Sequence, residues 1–313
     1  MNIFVTGGSG FVGKNLIRRL VSEGHNVWGL ARSKKSVQLL EELQVQVVHG
    51  SLEDIPTWSQ ALQGIDVVVH CASIIEVWGE WNTFYTLVTK ATENLLLAAD
   101  KQHVGRFIYI SSESVMQDRK PLLGVDETTI CPKKPNSFYG QSKLLAEKTI
   151  LAYTGNIHCV ILRPTFIYGP GDSFSDMLQN MVASNKFTWV DHGKTLIERV
   201  HVDNVVEAIH LALQNGKDKG IYLITDGHAI TARQLFTQRA EKMGITLPQK
   251  NIPGALASAF AYLTEFIWRL FHIKTAPPLT RFEVAFVSMP RQYRINKAIQ
   301  ELEYQPLKTS DHC

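Results

Sequence analysis

The chain opens with an apolar, β-branched run, Met1-Asn2-Ile3-Phe4-Val5-Thr6, that passes straight into glycines. Leu16, Ile17, Leu20 and Val21 then recur at the spacing of one helical face and stop at Gly24, after which Asn26 to Leu30 is apolar again. The pattern predicts strand, helix, strand, and it repeats. Val45 to Val48 and Asp66 to His70 read as strands around a short helix after Pro56. A long helix through Leu95 to Ala99 leads to a strand at Phe107 to Ile110, and a helix carrying Tyr139 to Tyr153 leads to one at Cys159 to Leu162. Strands that alternate with helices and are apolar on both faces predict a parallel sheet covered on two sides.

Past Arg163-Pro164 the alternation weakens. Gly169-Pro170-Gly171-Asp172 is a loop by its turn chemistry, and the remainder mixes helices with short strands such as Gly220 to Ile224. Residues 1–165, with 199–226 returning to them, are assigned to the sheet domain, and 166–198 with 227–313 to a smaller, mostly helical lobe. No internal repeat interrupts this plan.

Composition narrows the classes. In 313 residues, 45% hydrophobic and 19% charged side chains exclude a disordered, collagen-like or minimal disulfide chain. Lys and Arg number 32 against 29 Asp and Glu, and the net +3 is too slight for a nucleic-acid surface. Cys71, Cys131, Cys159 and Cys313 stand far apart without a Cys-x-x-Cys pair, which fits a reducing compartment. No cationic and apolar leader precedes the first strand, so a cytoplasmic location is expected. His49, His70, His192 and His201 lack the spacing of a metal site, and no metal is expected.

Thr6-Gly7-Gly8-Ser9-Gly10-Phe11-Val12-Gly13 sets glycines three apart between a strand and a helix, the context of a dinucleotide site. The bland alternative is a tight turn that holds nothing. Glycines let the backbone approach a pyrophosphate, whose charge then sits at the positive end of the helix. After the second strand, where NAD enzymes place a carboxylate for the ribose, the chain has Ala31 and then Arg32-Ser33-Lys34-Lys35. A guanidinium grips a 2′-phosphate that a carboxylate repels, so NADP(H) is favoured over NAD(H). Lys34 and Lys35 read as surface residues.

Tyr139 and Lys143 lie four apart on a predicted helix and share a face, so a phenol and an ammonium act as one unit. The charge is expected to lower the phenol's pKa toward neutrality, for proton exchange with a carbinol or carbonyl oxygen. Ser111-Ser112 closes the preceding strand.

With these pieces the sequence resembles the extended branch of the short-chain dehydrogenase/reductase superfamily, whose members include nucleotide-sugar epimerases, sugar dehydratases and 3β-hydroxysteroid dehydrogenases. The matching segments are the glycine turn, Gly50-Ser51-Leu52-Glu53-Asp54, His70-Cys71-Ala72-Ser73, Ile110-Ser111-Ser112, Tyr139 to Lys143, Arg163 to Pro170 and His201-Val202-Asp203-Asn204. The resemblance implies an α/β, Rossmann-type, doubly wound parallel sheet with a mostly helical C-terminal substrate lobe. It implies Tyr139 as general acid/base and Ser112, in preference to Ser111 or Ser114, as the hydroxyl that orients the substrate oxygen. Lys143 would bind the nicotinamide ribose. Cofactor contacts would come from Gly7, Ser9, Gly10, Phe11, Val12, Gly13, Arg32, Ser51, Leu52, Ala72, Ser73 and Pro164, together with Tyr139 and Lys143. A homodimer through the two long helices is also implied.

Within the branch, the groups that serve a nucleotide sugar are missing. Phe166 stands where nucleotide-sugar enzymes commonly carry Asn, Ile197 where an arginine serves the diphosphate, and Glu113-Ser114 where dehydratases have an Asp-Glu pair. Arg199 lies close enough to compensate in part. Phe166 and Ile167, with Ser112, are therefore expected to meet a mainly apolar, steroid-like or lipid-like substrate. Val88 replaces the usual Asn of the long helix, and Trp78, Trp81, Phe84 and Tyr85 either cover the nicotinamide side or simply pack.

Between Ala255 and Ile273 only Glu265 and Arg269 carry formal charge. That stretch is expected to pack on the sheet and wall an apolar pocket, in preference to contacting a membrane. The reading is an NADP(H)-dependent oxidoreductase interconverting a secondary alcohol and a ketone, closest to the 3β-hydroxysteroid dehydrogenase-like group. The alternatives are a nucleotide-sugar epimerase or dehydratase with bound NAD, and a non-catalytic NADP(H)-binding regulator.

Overall fold

The computed structural model describes residues 1–308, so Cys313 lies outside the described residues. In chain order the elements are β1 (Asn2–Thr6), α1 (Phe11–Ser22), β2 (Asn26–Ala31), α2 (Lys34–Glu42), β3 (Gln46–His49), β4 (Val67–His70), α3 (Trp81–Phe84), α4 (Ala91–Lys101), β5 (Arg106–Ile110), β6 (Leu122–Val125), α5 (Phe138–Ala152) and β7 (His158–Pro164). There follow β8 (Phe166–Tyr168), α6 (Phe174–Ala183), β9 (Trp189–Val190), β10 (Leu196–Ile197), β11 (Arg199–His201), α7 (Val202–Ala212), β12 (Gly220–Ile224), β13 (Ile230–Thr231), α8 (Ala232–Lys242), β14 (Asn251–Ile252), α9 (Gly254–Leu270), α10 (Arg281–Ser288), β15 (Arg291–Tyr293) and α11 (Asn296–Leu302).

Seven strands form one sheet in the order β12-β7-β5-β4-β1-β2-β3, and every pairing in it is parallel. Side chains alternate across the sheet, so each apolar strand feeds two cores. Ile3, Val5, Val69, Ile108 and Val160 join α1 and α7 on one face. Phe4, Val68, Phe107, Tyr109 and Ile161 join Trp58, α4 and α5 on the other. The fold class is α/β and Rossmann-type.

The chain winds outward from β1 in both directions, so the carboxyl ends of β1 and β4 border the crevice where open α/β sheets bind ligands. Thr6 and His70 end those two strands side by side. On the β12 edge, the outward amide of Leu223 donates to Glu127 Oε1 at 2.7 Å.

A separate aromatic core holds Phe174, Phe187, Trp189 and Phe236 and packs α6 against α8. β15 pairs with β6, and Tyr293, Leu302 and Tyr304 return to the first face of the large sheet. Helix α9 departs from its expected place: Ala257 and Ala261 pack with Val190 and Val284 in a small cluster of the lobe, not on the sheet. Its small residues allow that close approach, and Glu265 is held there by the Arg281 amide and Nε at 2.6 and 2.7 Å. Among the described residues no helix is long and apolar enough to cross a membrane.

Candidate active site

The turn after β1 is built for close backbone approach. Gly7 has φ +70°, and a Cβ there would stand 2.6 Å from the Ala72 amide nitrogen, so no other residue fits between the ends of β1 and β4. The Gly10 amide donates to Gly7 O at 2.9 Å, and α1 starts at Phe11 with no side chain capping its amides. An uncapped helix start behind a turn whose only side chain is that of Ser9 suits a pyrophosphate, and the residues present fit a dinucleotide. Behind it, buried His70 bridges Thr6 Oγ1 at 2.7 Å and Thr92 Oγ1 at 3.1 Å. Burial pushes that imidazole down to about 3, so it stays neutral and serves as a strut between strand and helix.

At the far end of the crevice Arg32 extends from β2 into solvent and meets Glu53 at 3.7 Å, close to Ser51. Ser33 next to it caps α2 by accepting from the Ser36 amide. Leu52 packs on the second core, and Ser73 donates to Ile74 O. Pro164 ends β7 beside Ile224.

Ser112, Tyr139 and Lys143 come together at the end of β5. Ser137 caps α5 by accepting from the Gly140 amide at 3.0 Å, which places Tyr139 in the first turn and Lys143 one turn further. Gly140 lets the helix touch the Ser112–Ser114 turn, since a Cβ would lie 2.6 Å from Ser114 O. The Tyr139 phenol faces Ser112, close enough for the serine hydroxyl to favour its ionised form. Lys143 is buried, with Nζ donating to Ile110 O at 2.7 Å and lying 4.6 Å from the Tyr109 ring centroid and 5.9 Å from that of Tyr139.

The titration of this pair departs from the sequence expectation. Burial pushes Tyr139 up to about 12; the nearby Ser112 hydroxyl pulls it down and the Glu113 carboxylate adds to the rise. Lys143 does not depress it, for a physical reason: burial brings the ammonium itself down to about 7, so near neutrality it carries only part of its charge. Tyr139 is then a protonated phenol, the form that gives a proton to a carbonyl oxygen.

Two supports escaped the sequence reading. Glu147, one turn beyond Lys143, accepts from Ser111 Oγ at 2.5 Å and from Arg163 Nε and an Arg163 terminal nitrogen at 2.9 and 2.6 Å. A carboxylate four residues past the lysine on an otherwise apolar helix face was the available signal. The second support is the π-helical stretch Tyr85–Lys90 between α3 and α4, where Val88 is buried and its carbonyl accepts from Thr92 Oγ1 at 2.7 Å. Thr89 Oγ1 donates to Ser142 O at 2.9 Å, tying the helix to α5 beside Lys143. The two threonines hold the backbone at the position where an Asn was expected.

The expected substrate contacts divide. Phe166 turns into the lobe, 5.3 Å from the Phe174 ring and 5.1 Å from Phe286, and Ile167 packs on the core of the large sheet. Both stay partly exposed. Trp81 and Phe84 meet Phe138 edge-on at 5.6 and 6.1 Å, and Arg269 of α9 lies between Trp78 and Phe138. Trp78, Phe84, Phe138 and Arg269, together with Asn136, Gln141, Glu265 and Arg281, wall a small cavity whose surface is mostly polar, where an apolar one was expected. Arg199 is buried against the Tyr168 ring at 4.5 Å, and Ile197 is fully buried. Among the described residues no three His, Cys, Asp or Glu side chains gather to hold a metal.

The model of the NAD dependent epimerase/dehydratase family matches residues 3–225. A ketoreductase of Stigmatella aurantiaca, described as acting on 4-hydroxy-2-methyl-3-oxo-4-farnesyl-3,4-dihydroquinoline-1-oxide, is 35% identical over 306 residues, 97% of this chain and 92% of that protein. The decarboxylating sterol-4-alpha-carboxylate 3-dehydrogenase of Dictyostelium discoideum is 30% identical over 97% of this chain and 95% of that protein. Among solved structures, UDP-glucose 4-epimerase of Thermotoga maritima shares the fold with a TM-score of 0.78 at 21% identity, covering 100% of this chain and 96% of that one.

Proposed function

Since the chain belongs to the NAD dependent epimerase/dehydratase family, we propose that it is an NADP(H)-dependent oxidoreductase interconverting a secondary alcohol and a ketone on a mainly apolar, steroid-like or lipid-like substrate. The observation that carries the reading is Tyr139 set against Ser112 beside buried Lys143 at the end of β5, on the same carboxyl edge of the parallel sheet as the glycine turn. The relatives named above support the substrate class: one reduces a ketone on a farnesylated ring, the other is a sterol dehydrogenase.

A bound reduced nicotinamide supplies the hydride that adds to the carbonyl carbon. The protein handles the proton. Ser112 holds the carbonyl oxygen by a hydrogen bond, and Tyr139 gives its phenolic proton to that oxygen as charge develops on it. Lys143 would hold the cofactor, presenting an N–H to its ribose hydroxyls. Solvent returns the proton to Tyr139, and in the reverse direction the phenolate accepts it from the alcohol. Arg32 would pair with the 2′-phosphate that distinguishes NADPH, because no carboxylate follows β2 to repel it.

A nucleotide-sugar substrate is disfavoured by buried Ile197 and by Arg199, whose stacking on Tyr168 takes it away from a diphosphate. A homodimer through α4 and α5 is part of the proposal; Leu97 and Leu151 stand exposed on those helices. The test is a cofactor and substrate screen with NADPH and NADH against steroid ketones, long-chain keto compounds and UDP-sugars. NADPH-driven reduction of an apolar ketone, lost in Tyr139→Phe, is the expected result. Turnover of a UDP-sugar without net redox change, or NADPH binding with no turnover across the panel, would reject it.

A further inference from the structure

Helix α9 is amphipathic in the reverse of the usual sense. A surface helix ordinarily turns its large apolar residues to the core and its polar ones to water. Here the buried face carries Ala257, Ala261, Thr264 and Glu265, while Leu256, Phe260, Leu263, Phe266, Leu270 and the adjoining Phe271 are each more than half exposed. At about 100° per residue, Leu256, Phe260, Leu263 and Leu270 form one stripe, with Phe266 and Phe271 along its margins. Single exposed leucines are ordinary, but a continuous apolar ridge marks a contact surface.

Neither charge on the helix interrupts the ridge. Glu265 is tied to Arg281, and Arg269 lies 4.5 Å from the Trp78 ring centroid and 4.7 Å from that of Phe138. The ends of the ridge are cationic. Lys250 precedes the helix and Lys274 follows it; from Thr246 to Phe282 the chain holds four Lys or Arg and a single carboxylate, the buried Glu265.

We propose that α9 docks this protein on an anionic lipid surface, lying in the plane of the interface with its outer face among the acyl chains and its flanking lysines at the headgroups. The complementarity is with negative lipid, since a second copy of the same segment would bring like charges together. A helix of 17 residues fits lying flat, to a depth of roughly 5–10 Å, and is too short to cross. The inference rests on this surface alone and stands whatever substrate the active site takes.

The test is cosedimentation of the full chain with vesicles of phosphatidylcholine, with and without roughly one third phosphatidylglycerol. The wild-type protein is expected to pellet with the anionic vesicles and to be released by high salt. The double variant Phe260→Glu, Leu263→Glu is expected to partition at least about tenfold more weakly, with unchanged melting temperature and elution volume. Lys250→Glu, Lys274→Glu provides a second variant that leaves the apolar face intact and is also expected to bind more weakly. A wild-type protein that stays in the supernatant with both vesicle types overturns the proposal, as does equal binding by both variants. A shift from dimer to monomer in Phe260→Glu, Leu263→Glu overturns it too, and assigns the ridge to a second copy.

Discussion

The Ser111 hydroxyl donates to Glu147 Oε1 at 2.5 Å, while Arg163 closes on the same carboxylate from the strand side. That bond holds Ser111 behind the sheet and leaves its neighbour Ser112 to meet Tyr139. The two serines should therefore fail differently. Ser111→Ala is expected to cost roughly 1.5–3 kcal/mol in urea unfolding, the range for a hydrogen bond to a charged group, and to change kcat little. Ser112→Ala removes the cap that accepts from the Ser114 amide and should cost about 1 kcal/mol, but it should lower kcat by about a hundredfold, as expected for loss of a donor to a developing oxyanion. The same effect of both on kcat would refute the division.

Tyr139→Phe removes the proton donor and little else. Ketone reduction is expected to fall at least about a hundredfold, with NADPH affinity by fluorescence titration within about twofold of wild type, since a single uncharged hydroxyl is lost. Turnover near the wild-type rate would defeat the assignment of general acid.

Lys143 provides a pH signature. Its ordinary value near 10.5 is brought to about 7 by burial, so its charge is complete well below pH 7 and is lost as pH rises through about 7. Because kcat/KM for NADPH reports groups of the free enzyme, that parameter should decline above about pH 7. In Lys143→Met the overall level should be lower and the declining limb absent.

Arg32 is exposed, and its contact with Glu53 at 3.7 Å is a surface pair worth little, so the guanidinium is free to turn toward a 2′-phosphate. Arg32→Ala is expected to weaken NADPH by at least about tenfold, as loss of a charge-assisted pair implies, with NADH changed far less. Equal losses in parallel calorimetric titrations would count against NADP(H) preference.

Glu198 is buried, and burial first, with Asp226 and Glu113 adding to it, raises its carboxyl from 4.5 to about 7. Its Oε2 has no partner. The folded state then holds a proton that the unfolded chain releases, so this group stabilises below about pH 4.5 and the benefit is lost as pH rises through about 7. Glu198→Gln is expected to raise stability at pH 8 by on the order of 2–3 kcal/mol and much less at pH 5, in urea titrations at the two values. Equal effects at both pH values would show that the carboxyl does not titrate in this window.

Much of this was legible in residue spacing because the parallel sheet requires it. Each of its strands is apolar on both faces, and the glycine turn and Tyr139 to Lys143 are local patterns on adjoining elements. What escaped depends on distance in space. Glu147 and Arg163 are 16 residues apart and declare nothing until α5 lies against β7. The Thr89 bond to Ser142 spans 53 residues, and the π turn that allows it has no spacing signal. Helix α9 was misplaced because composition tells how apolar a helix is but not which face is covered: four small or polar residues on one side were enough to anchor it. Phe166 was read for its neighbours in the motif, whereas Phe174 and Phe286, distant in sequence, set its direction.

The bond from the Leu223 amide to Glu127 bears on how this protein behaves when crowded. The border of a parallel sheet is a row of waiting donors and acceptors, and another extended segment can continue it indefinitely. A carboxylate bonded to one rung interrupts that row with negative charge and denies a newcomer its register. Concentrated samples should therefore resist fibrillar growth from this margin for as long as Glu127 remains in place.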